Sequence, residues 1–351
     1  MSHSAGTPSS LPRTRNQTMD FFKFVASLVI TLMHITFPGD AGKLTITVGS
    51  IAAPVFFAIT GYYNYNSGRD SVARRIKSIL KLYLFAFVAT TVLGAVSAGL
   101  AGGDVLKFLK DFCLFGREEL FQMLLLHYDP RNLQLWYLIA VLFCYLILLL
   151  YLDFCGGAAA SYRPLYILGG VQFLFFLAFG VLAQPVHWGP PEVFFRSGYF
   201  FGGTFFTLGI FLHEYQERIL RNLRLTPKKL AALFFIGLFL NCLQAFSIDS
   251  GYLSLGALAQ IPVLMLLMIA CPRMPKAVPS RALGRLSVYI YVLHMALMRV
   301  YDSLIKEPLT ARLGTRSDLE PWLAPLIVVL LSVLAAVICD LVRQGIRRLR
   351  K

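Results

Sequence analysis

The stretch Asp20-Phe-Phe-Lys23-Phe-Val-Ala-Ser27-Leu-Val-Ile-Thr31-Leu-Met-His34-Ile-Thr-Phe-Pro38 decides how the rest of the chain is read. It reads as the first of many membrane spans, yet it carries a lysine and a histidine. At ~100° and ~1.5 Å per residue, the eleven residues from Lys23 to His34 turn a helix three times plus ~20°, so both side chains share one face roughly 16 Å apart. Ser27 and Thr31 fall between them at helical spacing, and Asp20 precedes Lys23 by one turn. The result is a polar stripe on a membrane helix. Ionisable groups at membrane depth are costly and mark a pathway or a site.

Composition supports the membrane reading. Of 351 residues, 57% are hydrophobic and only 15% charged, and the mean hydropathy is +0.66. Many runs reach the ~20 apolar residues that a helix needs to cross a bilayer. The net charge of +15 points away from nucleic acid, because Lys and Arg cluster in alternate loops. Cys113, Cys144, Cys155, Cys242, Cys271 and Cys339 are scattered without metal-ligand or disulfide spacing, so no metal is expected. Residues 1–19 are polar and read as a disordered cytoplasmic tail, with no signal-peptide core behind them.

The expected fold is an all-α, polytopic transmembrane bundle of about ten spans, at 20–38, 46–66, 79–101, 134–153, 164–184, 197–213, 229–247, 252–272, 283–303 and 322–342. One membrane domain, 20–345, precedes a basic tail, 346–351. The basic loops hold Arg69, Arg74, Arg75 and Lys77, then Arg218 to Lys229, then Arg273 to Arg285. By the positive-inside rule both termini are cytoplasmic. The outer loop 102–133 carries an apolar face, Val105, Leu106, Phe108, Leu109 and Phe112, and a second helical stretch, Glu119 to His127. Both read as interfacial helices.

Several constellations can carry chemistry. His34 has the ~6.5 pKa class of a general base, and Lys23 is a point cation suited to phosphate or carboxylate. The bland alternative is that Lys23 snorkels to lipid while His34 bonds across helices. Arg74 and Arg75 either hold a polyanion such as a nucleotide or coenzyme A, or simply set topology. Asn132, Trp136 and Tyr137 open the fourth span, as an aromatic belt or as a platform for sugar rings. In the ninth span Ser287, Tyr291 and His294 face one way, which favours a polar cavity between spans one and nine. His127, His187 and His213 sit at loop edges and receive no role. Signatures of soluble enzymes, G-x-S-x-G, Walker A and H-E-x-x-H, are absent from the sequence.

In order and spacing these stretches resemble the acyltransferase 3 family of integral membrane acyltransferases over residues 20 to about 345. The matches are Asp20 with Lys23 and His34, Pro54 to Tyr62, Ala73-Arg74-Arg75-Ile76, Leu135-Trp136-Tyr137-Leu138 and Ser287 to His294. The resemblance implies transfer of an acyl group, often acetyl, from cytoplasmic acyl-CoA as co-substrate to a hydroxyl of an extracytoplasmic carbohydrate or lipid-linked glycan. It implies His34 as base, with Tyr291 or His294 orienting the acceptor or stabilising the oxyanion. Lys23, Arg74 and Arg75 would hold the coenzyme's phosphates, and its arm would thread past Ser27 and Thr31. Trp136, Tyr137 and Asn132 would meet the acceptor. A bacterial inner membrane is the implied setting, with no permanently bound cofactor.

The sequence also departs from the family pattern. Thr60 stands where serine is usual, Lys81 and Leu82 where a proline often follows the arginine run, and the fourth-span signature lacks an acidic residue. An appended esterase-like domain is not expected. These features look like the smaller members, among them the membrane part of certain serine racemases, whose proposed role is amino-acid transport. A transporter using Lys23 and His34 as binding or proton-relay groups is therefore the alternative.

Overall fold

The computed structural model describes residues 15–129, 131–155, 161–182, 194, 197–247 and 253–349. His187, most of the N-terminal tail and the last two residues lie outside them. The described residues form helices and connections, with no strand among them.

The first helix, α1 (Gln17–His34), starts where Asn16 caps it, accepting a hydrogen bond from the Met19 N–H at 3.0 Å. That cap draws residues 17–19, expected in the tail, into the helix. Asp20 then occupies the first turn, where the helix dipole favours an anion. Helices α2 (Gly39–Gly49) and α3 (Ala52–Tyr62) follow, forming one helical run with a break at Ser50 and Ile51. Helix α4 (Arg69–Leu100) begins ten residues before the expected span. Arg74, Arg75 and Lys77 therefore lie on its first turns and not in a loop.

The outer segment holds the two short helices read from its pattern, α5 (Val105–Cys113) and α6 (Arg117–Leu125). A 3-10 turn, Leu133–Leu135, leads into α7 (Trp136–Phe154). Helix α8 (Arg163–Phe175) loosens into a π-helical stretch to Leu182, and a second, Gly198–Gly202, opens α9 (Gly203–Asn222). Helices α10 (Pro227–Ser247) and α11 (Leu255–Ala270) pack as a pair. Helix α12 (Ser280–Val300) ends in a third π-helical stretch, Tyr301–Ile305. The short α13 (Lys306–Leu313) precedes α14 (Glu320–Leu349), which carries most of the expected basic tail as helix.

Six helical runs among the described residues are long and apolar enough to cross a bilayer: Gly39–Tyr62, Arg69–Leu100, Leu133–Phe154, Arg163–Leu182, Pro227–Ser247 and Ser280–Leu349. The last is 70 residues long and contains both α12 and α14. Helix α11 is apolar but shorter, and α1, read from the sequence as the first span, is not among the six.

Two seams position the site. Helix α12 packs against α1, α14 and α4, so it lies at the centre of one half of the bundle. At Gly284 a Cβ would stand 2.8 Å from Asp20 Oδ1, so only glycine lets α12 approach α1 this closely. In the other half α3 packs against α9, with Gly61 and Gly209 each facing the other helix's backbone.

Candidate active site

The polar stripe of α1 divides by position along the helix. At its start, Lys23 Nζ lies 2.9 Å from Asp20 Oδ1, and Arg15 also pairs with this buried carboxylate. The Asn16 N–H donates to the Tyr63 hydroxyl at 3.4 Å, and Arg75 donates to the Tyr63 carbonyl at 3.0 Å. Tyr63 thus touches both Asn16, which caps α1, and Arg75 on α4. Arg74, one residue before Arg75 on α4, is exposed.

Mid-helix, Ser27 and Thr31 are fully buried. The Ser27 hydroxyl donates to the Phe24 carbonyl at 2.7 Å and Thr31 to the Ser27 carbonyl at 3.0 Å. Their polarity is satisfied within their own helix, as serine and threonine hydroxyls often are in apolar surroundings. In this arrangement they offer no free hydroxyl to a passing ligand.

At the far end the stripe opens. His34, exposed, lines a cavity of about 520 Å³ together with Ile30, Met33, Ile46, Gly49, Ala53, Phe56, Leu126, His127, Tyr128, Leu133, Gln134, Trp136, Tyr137 and Tyr291. That volume falls within the ~300–1,000 Å³ of ordinary small-molecule sites. The His34 ring stands 5.2 Å from that of His294, centroid to centroid. His294 is fully buried, its Nδ1 lies 2.7 Å from the Tyr291 carbonyl, and its Nε2 has no hydrogen-bond partner. A carbonyl only accepts, so Nδ1 carries the proton and Nε2 presents a lone pair.

The other expected residues divide between the cavity and its surroundings. Trp136 and Tyr137 line it, and the Tyr137 hydroxyl is 3.3 Å from that of Thr60. Tyr291 lines it too, but its hydroxyl proton is given to the Gln134 carbonyl, which leaves it no proton for an oxyanion here. Asn132 is buried and does not line the cavity, and neither of its side-chain amide atoms has a partner. Ser287 is buried and bonded to the Gly284 carbonyl at 3.1 Å.

Among the lining residues that the sequence reading gave no role are His127 and Gln134. His127, given no role, is buried at the cavity wall, and its Nδ1 accepts the Gly198 N–H at 2.7 Å. Burial pushes its pKa down to about 4, so the ring is neutral and carries its proton on Nε2. Gln134 was read only as part of a span opening. Its contacts run to α12, more than 150 residues away, and local pattern carries no trace of them. No group of three or more His, Cys, Asp or Glu side chains among the described residues is arranged to hold a metal.

Residues 16–342 match the acyltransferase-3 family, described as an acyltransferase domain. The chain belongs to that family. The acyltransferase-3 match spans α1 to most of α14 and includes every candidate site residue. A serine/alanine racemase of Enterococcus gallinarum is 28% identical over 319 residues, covering 80% of this chain and 40% of the relative. An amino-acid racemase of Enterococcus faecalis is 26% identical over 330 residues, covering 83% of this chain and 42% of the relative. The chain therefore spans about two fifths of the length of these relatives. No solved structure matches with significance. Family membership and the apolar helices together support a multi-pass membrane protein of the acyltransferase class.

Proposed function

We propose that the chain transfers an acyl group, acetyl first among candidates, from cytoplasmic acyl-CoA to a hydroxyl of an extracytoplasmic carbohydrate or lipid-linked glycan. The setting is a bacterial inner membrane, with ten spans and both termini cytoplasmic. The observation that carries the reading is His34 at the rim of an aromatic cavity, beside a second, buried histidine whose lone pair is unpartnered. A base must reach its proton through an open space, and His34 has one.

In the proposed step the acceptor O–H gives its proton to a His34 ring nitrogen as the oxygen attacks the thioester carbonyl. The new C–O bond forms, the C–S bond breaks, and the departing sulfur takes the proton from His34, which returns to neutrality. His294 acts on His34 from behind: its Nε2 lone pair can accept a His34 N–H and so hold the imidazole in one orientation, with the other nitrogen toward the acceptor. Lys23, Arg74 and Arg75 supply cations for the coenzyme's phosphates. Because Ser27 and Thr31 are sealed between these two regions, the acyl-bearing arm reaches His34 only if α1 and its neighbours part along that seam.

Transport of a small polar solute is the second reading, drawn from the same stripe, with Lys23 and His34 as relay groups. Membranes containing wild type or His34→Ala at equal levels, given acyl-labelled acyl-CoA and cell-envelope glycans, separate the two. Transfer that depends on His34 supports the enzyme. Transfer that survives His34→Ala removes His34 from the chemistry, and no transfer from any acyl donor returns the lead to transport.

A further inference from the structure

Independently of acyl transfer, we propose that a groove between α4, α12 and α14 binds one anionic phospholipid of the surrounding bilayer, its phosphate held by Arg343 and Arg347. The groove has a volume of about 390 Å³. Helices α4 and α14 both pack on α12, and the groove lies where the three meet. Phe85 from α4, Tyr289 from α12 and Ile338, Val342 and Ile346 from α14 line it. The Phe85 and Tyr289 rings meet edge to face, 6.1 Å between centroids. On α14, residues 338, 342 and 346 and residues 339, 343 and 347 form two adjacent rows at four-residue spacing. One helix face therefore carries both an apolar wall and two guanidinium groups.

The height of the groove in the membrane follows from the flanking residues. Lys81 stands one turn before Phe85, Arg285 one turn before Tyr289, and Arg343 one turn after Cys339, another lining residue. All three helices thus change from apolar to basic at this level, where a lipid's headgroup meets its chains. Phe85, Ile338, Val342 and Ile346 are between 40% and 60% exposed, a surface that an acyl chain covers.

Charge selects the headgroup. Arg343 and Arg347 are exposed and make no hydrogen bond or ion pair among the described residues. The Tyr289 hydroxyl has no hydrogen-bond partner among them either and can donate to the same phosphate. Asp340, the acid nearest in sequence, is already held by Arg285 at 2.9 Å and by Gln344 at 2.8 Å, so its charge is offset. Two guanidinium groups ~6 Å apart along the axis can each present paired N–H donors to a phosphate diester. A zwitterionic headgroup brings the same phosphate with a cation beside it, which the arginines repel. A free phosphate would meet the arginines and leave the apolar wall uncovered, whereas an anionic phospholipid satisfies both.

The test uses the full chain in nanodiscs holding equal amounts of phosphatidylglycerol and phosphatidylcholine, each lipid in turn carrying a photoactivatable acyl chain. Native mass spectrometry counts the lipid retained, and peptide mapping locates the cross-link. Wild type is expected to retain phosphatidylglycerol at least about tenfold over phosphatidylcholine. Its cross-links should fall on Phe85, Tyr289 or residues 338–346. Arg343→Gln combined with Arg347→Gln should abolish the preference. Arg348→Gln removes a charge from α14 outside the groove and should leave the preference intact. Wild-type cross-links confined to other parts of the chain overturn the proposal, and that result needs no variant. A preference that survives the double substitution overturns it too, as does one that Arg348→Gln lowers equally, which would mark diffuse attraction to a basic helix end. Displacement of the lipid by an equal concentration of glycerol 3-phosphate would show that phosphate alone is recognised, and the phospholipid site falls.

Discussion

Replacing Gly284 by alanine tests the seam on which the histidine pair depends. The added Cβ would lie 2.8 Å from Asp20 Oδ1 and 2.9 Å from both Asp20 Cβ and Cγ, closer than carbon atoms normally approach. Asp20 cannot swing aside cheaply, because Lys23 and Arg15 hold its carboxylate and the residue is buried. The clash is therefore relieved by α1 and α12 separating, at a cost of about 1–3 kcal/mol, the usual range for overpacking. The same separation pulls His34 away from His294, now 5.2 Å apart. Thermal melting of detergent-solubilised protein should show a midpoint several degrees lower, and His34-dependent transfer should fall at least tenfold.

Asp20→Ser supplies the internal check. It shortens the side chain that the new Cβ strikes, so the double variant should lose less than the sum of the singles, a coupling of roughly 0.5–3 kcal/mol for residues in contact. A Gly284→Ala protein with wild-type melting and activity, and no coupling to position 20, would refute the reasoning that this glycine sets the seam.

Further outcomes follow from other parts of the structure. His34→Ala should lower transfer by about 10²–10⁴, the usual contribution of a general base, with melting little changed because the side chain is exposed. For His127 the folded pKa of about 4 lies below the ordinary ~6.5, so its neutral form stabilises the fold fully above pH ~6.5. Between about 6.5 and 4 the unfolded chain takes up a proton that the folded one refuses. Stability then falls by at most about 1.4 kcal/mol per pH unit and levels off below about 4. His127→Gln should flatten that slope in melts across this range, and an unchanged slope would remove His127 as its source. Ser27→Ala and Thr31→Val should leave melting nearly unchanged, since each hydroxyl bonds only its own helix in this arrangement, and a large loss in either would show that the hydroxyls bind something else. Asp340→Asn breaks the two-oxygen contact with Arg285, 2.9–3.3 Å long, between α12 and α14, and should cost about 1–3 kcal/mol by the same melts.

Much of this was written in the order of residues. Hydropathy determined that the chain is helical and membrane-crossing, because apolar runs of that length have few other stable forms in lipid. Helical periodicity placed Lys23 and His34 on one face, and Ser287, Tyr291 and His294 on another, since it depends only on local geometry. It could not show that Ser27 and Thr31 are sealed, because α1 is covered by other helices, among them α12, some 260 residues along the chain. Nor could it bring His34 to His294, or His127 and Gln134 to the cavity wall. Those placements rest on helix crossings fixed by small contacts such as Gly284 against Asp20, and a contact between distant segments leaves no period in either one.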